Sequence, residues 1–139
     1  MEKAAVDLFE NACALGASEP REGDTSGKRW VKSLTTTQVR ALVGYAVRDV
    51  HENYSLLAWL DQAEDEEQTS DLLTALADAR SGLDGCKFLL EQVGTVGDLA
   101  FELEELDRRV LQSIDGLAFP VPRKTPTAET WWGQWETVF

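Results

Sequence analysis

Few side chains in this sequence could do chemistry: one histidine, His51, and two cysteines, Cys13 and Cys86. A single imidazole excludes HExxH zinc sites and two-histidine carboxylate cages, which need several such ligands. A Cys–His dyad stays open, because either thiol could meet His51 in a fold. Yet Cys86 falls on an apolar helical seam, where a small hydrophobe is expected. His51 falls on the flank of an apolar face, so a partly buried, hydrogen-bonded structural histidine is expected there. The run Gly23–Arg29, GDTSGKR, has one residue too few between its glycines for a phosphate loop. It also places Arg29 where a Mg²⁺-binding Ser or Thr must stand, and no hydrophobic strand precedes it. Asp61, Glu64, Asp65, Glu66 and Glu67 do not make a calcium loop, because Ala63 occupies a ligand position and the turn glycine is missing. A flexible loop and a solvated acidic loop are expected instead. No catalytic residue, no metal ligand and no cofactor is expected.

Two polar residues interrupt apolar faces. Asn53 lies between Val50 and Leu57, and Asp107 lies between Leu103 and Leu111 beside Val110. A buried carboxylate must be paired or protonated, because isolated burial of its charge costs several kcal/mol. Lys87 is the first choice of partner for Asp107 and Arg80 the second.

The elements that must position these residues read as helices almost throughout. Ala5, Leu8, Ala12 and Leu15 recur at helical spacing, with Gly16 as a stop; residues 18–34 read as a loop. After the capping run Thr35–Thr37, a long second segment carries Val39, Val43, Ala46, Val50, Leu57 and Leu60 on one face. Tyr45, Leu56 and Trp59 form a second stripe on it, so this helix is central or borders a partner. Thr69 or Ser70 is expected to cap a third segment, where Leu72, Leu76, Ala79, Leu83, Cys86, Leu90 and Val93 make a heptad seam. Gly82 and Gly85 on it mark a kink or the close approach of a neighbour. A fourth segment repeats the pattern at Val96, Leu99, Leu103, Leu106, Val110, Ile114 and Leu117. The fold class expected is all-α: a single-domain bundle of about four helices over residues 1–116, with residues 117–139 as an extended tail of the same domain.

That tail holds Pro120, Pro122 and Pro126, then Trp131, Trp132, Trp135 and Phe139. The prolines exclude a regular helix. Three exposed tryptophans would make an unusually large apolar patch, so the tail is expected to fold across the bundle and cover Trp59. A binding element, or a homodimer interface, is the competing use of the same aromatics.

The 139 residues include 13 basic and 25 acidic side chains, a net charge of −12. Such a balance disfavours direct binding of nucleic acid or anionic membranes. No apolar run approaches the ~20 residues of a spanning helix. The N-terminus is too short and too acidic for a signal peptide, and two isolated cysteines suit a reducing interior, so a cytoplasmic chain is expected. The charge is local: residues 52–107 hold two basic and fifteen acidic side chains, a block of −13.

The function expected from this pattern is a small non-catalytic acidic protein that occupies a basic surface of a protein partner. Immunity proteins, antitoxins and phage-type inhibitors that imitate nucleic acid act in that way. Glu64, Asp65, Glu66, Glu67, Asp71, Asp78 and Asp84 would carry the contact. The alternative is a structural or adaptor subunit, monomeric or homodimeric, anchored by Tyr45, Trp59, Trp131, Trp132 and Trp135. A third possibility is an enzyme or small-ligand carrier with a pocket near Asp107, Asn53 and His51.

Overall fold

A computed structural model describes residues 2–18, 23 and 25–137; Asp24 of the Gly23–Arg29 run and Phe139 of the tail lie outside the described residues. The protein is all-α: α1 Glu2–Ser18, α2 Ser26–Lys32, α3 Thr36–Asp61, α4 Glu66–Glu91, α5 Gly97–Asp115 and α6 Trp131–Trp135, with no strand among the described residues.

Local side-chain chemistry sets where these helices start. At α3, the Thr35 hydroxyl accepts from the Gln38 amide (3.1 Å) and the Gln38 side chain accepts from the Thr35 amide (2.8 Å), a capping box. The α4 start differs from the expected Thr69 or Ser70. Asp65 Oδ1 accepts from the Gln68 amide (2.7 Å), and Gln68 Oε1 accepts from the Glu64 amide (2.9 Å). Thr69 is buried one turn inside, its hydroxyl donating to the Asp65 carbonyl. A carboxylate is the stronger acceptor at a helix start, and Glu66 and Glu67 in the first turn complement the helix dipole. Part of the expected acidic loop is therefore helix. The expected 18–34 loop is also shorter, since Thr25 caps α2 and the buried Lys28 and Val31 lie one turn apart. Seven residues are too few for periodicity to reveal such a helix.

The chain divides into two compact units, Met1–Asp49 with Gly82–Glu102, and Val50–Ser81 with Leu103–Phe139. In the first unit α1 buries Phe9 and Ala12. The Phe9 ring lies 5.1 Å from that of Tyr45 on α3. Gly16 does not stop α1, which runs on to Ser18. It lets α1 approach α4: a Cβ there would stand 2.0 Å from the Gly85 carbonyl oxygen. A Cβ on Gly82 would meet Cys13 at 3.4 Å, so the α4 glycines mark a close approach. Lys28 Nζ on α2 donates to the Gly23 carbonyl (2.8 Å) and lies 5.4 Å from the Phe88 ring.

In the second unit Val50, Leu57 and Leu60 of α3, Leu73, Leu76 and Ala77 of α4, and Leu103, Leu106 and Val110 of α5 form the core. Of the stripe expected on α5, Leu99, Leu103, Leu106 and Val110 are buried, while Ile114 is half-buried and Val96 and Leu117 lie just outside the helix, half-buried. On α4 the buried line passes through Leu73 and Arg80, while Leu72 and Ala79 are half-buried. The tail explains the shift by covering a second side of this helix: Lys124 donates to Thr74 Oγ1, and Thr137 donates twice to Asp78.

The tail is not extended throughout. Beyond Pro126, Thr130 caps the short helix α6 by accepting from the Gly133 amide (3.0 Å). The Lys124 and Thr125 amides donate to the Gln134 carbonyl, and Gln134 Nε2 donates to the Ala128 carbonyl, closing a small loop. Trp131 and Trp135 are buried, 7% and 3% exposed. Their indole nitrogens differ: Trp131 Nε1 donates to Asp107 Oδ1 at 2.9 Å, whereas the buried Trp135 Nε1 has no acceptor. Trp131→Phe is therefore expected to cost about 2 kcal/mol, as for a bond to a charged group, while Trp135→Phe costs distinctly less because it removes an unsatisfied donor. Urea unfolding of the two variants compares them directly.

Candidate functional site

Two sets of residues that the sequence kept apart meet in the second unit. Trp59, near the end of α3, and the first two turns of α4 line a cavity of about 370 Å³. Its walls are Trp59, Asp65, Glu67, Gln68, Asp71 and Leu72. Glu67 and Asp71 share a helix face because they are four residues apart, and so do Gln68 and Leu72. Asp65 is fixed by its capping bond to the Gln68 amide. The side chains of Glu67 and Asp71 make no hydrogen bond or ion pair among the described residues, and both residues are exposed. Trp59 is 61% exposed, so the tail does not cover it as expected. Among the described residues no three His, Cys, Asp or Glu side chains are grouped closely enough to hold a metal ion. What the cavity offers is an open indole face, an apolar side chain and spread negative charge. That is an environment for an organic cation.

The other acidic candidates have other surroundings. Glu64 and Glu66 are exposed beside the start of α4. Asp78 accepts the Thr137 amide (2.7 Å) and hydroxyl (2.6 Å), which ties it to the tail. Asp84 is half-buried and belongs to the first unit. So does Tyr45, half-buried against Phe9 with the Arg48 guanidinium 5.9 Å from its ring.

Asn53 is buried at 4% exposure, as its place on the apolar face of α3 implies. Asp107 is half-buried, and its partner is Arg80, not Lys87. Arg80 Nε donates to Oδ1 (2.8 Å) and Nη2 to Oδ2 (3.0 Å). Lys87, two turns further along α4, lies 4.0 Å from Glu91 on its own helix. The planar fork of arginine engages both carboxylate oxygens, which the single ammonium of lysine cannot do. Trp132 completes the group, with the Arg80 guanidinium 3.9 Å from its ring centre. Sequence reasoning missed Arg80 as the centre of this group. Its signal was present, since Arg80 follows Leu76 by four residues and precedes Leu83 by three, on the apolar line itself.

With both oxygens of Asp107 engaged and His51 exposed, the suggested grouping of Asp107, Asn53 and His51 supplies no free carboxylate. His51 is exposed because Val50, Asn53 and Leu57 take the inward face of α3, and its neighbour in sequence is turned about 100° away. Its ring lies 6.4 Å from that of Tyr54.

The thiols are poor nucleophiles. Burial, then the charges of Asp49 and Glu10, pushes Cys13 up to about 12 from an ordinary 9.0. Burial, then Cys13 and Asp49, pushes Cys86 up as well. The folded chain keeps these protons at pH values where the unfolded chain loses them. Stability is therefore whole below the ordinary thiol pKa and declines as pH rises from about 9 toward 12. The expected result is a falling urea midpoint across that window, with a smaller fall in Cys13→Ala.

Among the described residues no helix is long and apolar enough to cross a membrane. Comparison with protein-family models, with curated proteins and with solved structures finds no match to this chain.

Proposed function

We propose that this chain is a non-catalytic binding protein that occupies a basic surface of a protein partner, in the manner of immunity proteins, antitoxins or inhibitors that imitate nucleic acid. The observation that supports the reading is the state of the carboxylates at the start of α4. Glu64, Glu66, Glu67 and Asp71 are exposed and have no cationic partner among the described residues, within a segment of net charge −13. Exposed charge of one sign steers an oppositely charged partner and accelerates encounter, an effect that salt screens. With two free cysteines the reading also places the chain in a reducing, cytoplasmic compartment.

The test is stopped-flow association with an arginine- and lysine-rich peptide at low and at high ionic strength. Association should slow steeply with salt and be lost when Glu66, Glu67 and Asp71 are all changed to lysine. A rate indifferent to salt removes the proposal.

The second reading, an adaptor or homodimer held by apolar contacts, draws support from the exposure of Trp59 and Phe101. Trp131 and Trp135 give it none, being buried within their own unit. A sedimentation mass that stays monomeric over a wide concentration range counts against the homodimer.

A further inference from the structure

We infer that the cavity beside Trp59 is a socket for one arginine side chain of the partner; the inference rests on the basic-partner reading and names the group recognised. Three observations carry it together. The first is the cavity itself, about 370 Å³, formed where α3 ends and α4 begins. The second is Trp59, 61% exposed, in a unit that buries Trp131 and Trp135 almost completely. An indole left open in a cavity edged by Asp65, Glu67 and Asp71 is a face for a cation, because the ring's negative quadrupole and the carboxylates act with one sign.

The third observation selects arginine over lysine. The same unit already contains a guanidinium held by an indole and a carboxylate. Arg80 lies 3.9 Å from the Trp132 ring centre and donates through Nε and Nη2 to the two oxygens of Asp107. The Trp59 cavity presents the other two parts of that arrangement, an indole face and unpaired carboxylates, and lacks the guanidinium. A planar, weakly hydrated cation can stack on Trp59 while its edge donates to Glu67 or Asp71. The compact, strongly hydrated ammonium of lysine stacks less well and donates from a single point. Leu72 offers apolar contact to the methylenes of the arriving side chain.

The experiment uses the full chain with hexaarginine and hexalysine peptides at low ionic strength. Affinity is read by calorimetry, and the site by the indole Nε1–H resonance of Trp59, assigned from its loss in Trp59→Phe. Hexaarginine is expected to bind about tenfold more tightly than hexalysine and to move the Trp59 resonance. Trp59→Ala should reduce hexaarginine to the hexalysine level. As Trp59 is mostly exposed, that variant is expected to keep the far-ultraviolet circular dichroism of the parent. Glu67→Gln with Asp71→Asn should weaken both peptides. If both peptides bind equally, or the preference for arginine survives Trp59→Ala, the socket is overturned while the basic-partner reading stands. If neither peptide binds, both fall.

Discussion

Gly16→Ala is expected to destabilise the protein by about 3 kcal/mol or more, the upper range for forcing one carbon into a packed contact. The added Cβ would stand 2.0 Å from the carbonyl oxygen of Gly85 and 2.3 Å from its carbonyl carbon. Both obstacles are backbone, so no side-chain rotation relieves the overlap, and α1 must move away from α4. Phe9 and Ala12 lie on the same helix and would lose packing with it. The control is the same chemical change at Gly44, inside α3, where a Cβ meets nothing within 4 Å. There alanine lowers the backbone entropy of the unfolded chain and should stabilise by about 0.5–1 kcal/mol. Urea midpoints of the two variants should move in opposite directions. A harmless Gly16→Ala would mean that α1 does not approach α4 as described.

Asp107→Ala is expected to cost about 3–5 kcal/mol, the range for removing one partner of a buried ion pair. Arg80 is the reason: its side chain is 5% exposed, and its Nε and Nη2 would lose the two carboxylate oxygens they donate to. Trp131 Nε1 would lose its acceptor at the same time. The tail should loosen as well as the core, and tryptophan emission should shift to the red before global unfolding. Changing Arg80→Met and Asp107→Leu together should recover the part of the loss that comes from the buried charge, while Trp131 Nε1 stays without its acceptor. If the double variant is as unstable as Asp107→Ala, the cost lies in packing and not in the lost Arg80–Asp107 pairing.

The helices and the inward line of α5 could be read from the sequence because each depends on neighbours within a turn or two. Leu99, Leu103, Leu106 and Val110 are buried where their spacing places them, and Thr35 caps α3 through a residue three positions away. Asn53 was legible for the same reason, since it shares a face with Val50 and Leu57. At the start of α4, Thr69 and Ser70 are both capping residues by type, yet Asp65 takes the place because the carboxylate is the better acceptor. In the tail, the effect of the three prolines ends at Pro126, beyond which Thr130 starts a helix.

The candidate site was legible as two inventories, aromatic residues and carboxylates, and not as one place. The sequence points to the tail as the cover of Trp59, yet Trp59 lines one cavity with Asp65, Glu67 and Asp71 where α3 ends and α4 begins. Residue types and helical register are properties of the chain itself. Periodic burial and capping act over three or four residues, so the all-α class, the apolar stripes and the acidic block follow from the sequence alone. Which charges meet across helices is decided by three-dimensional packing. Arg80 reaches Asp107 over 27 positions of sequence, Gly16 meets Gly85, and Trp59 is left uncovered. No local preference encodes those distances; they arise when apolar faces find the arrangement that buries them and the remaining charges pair within it or stay in water.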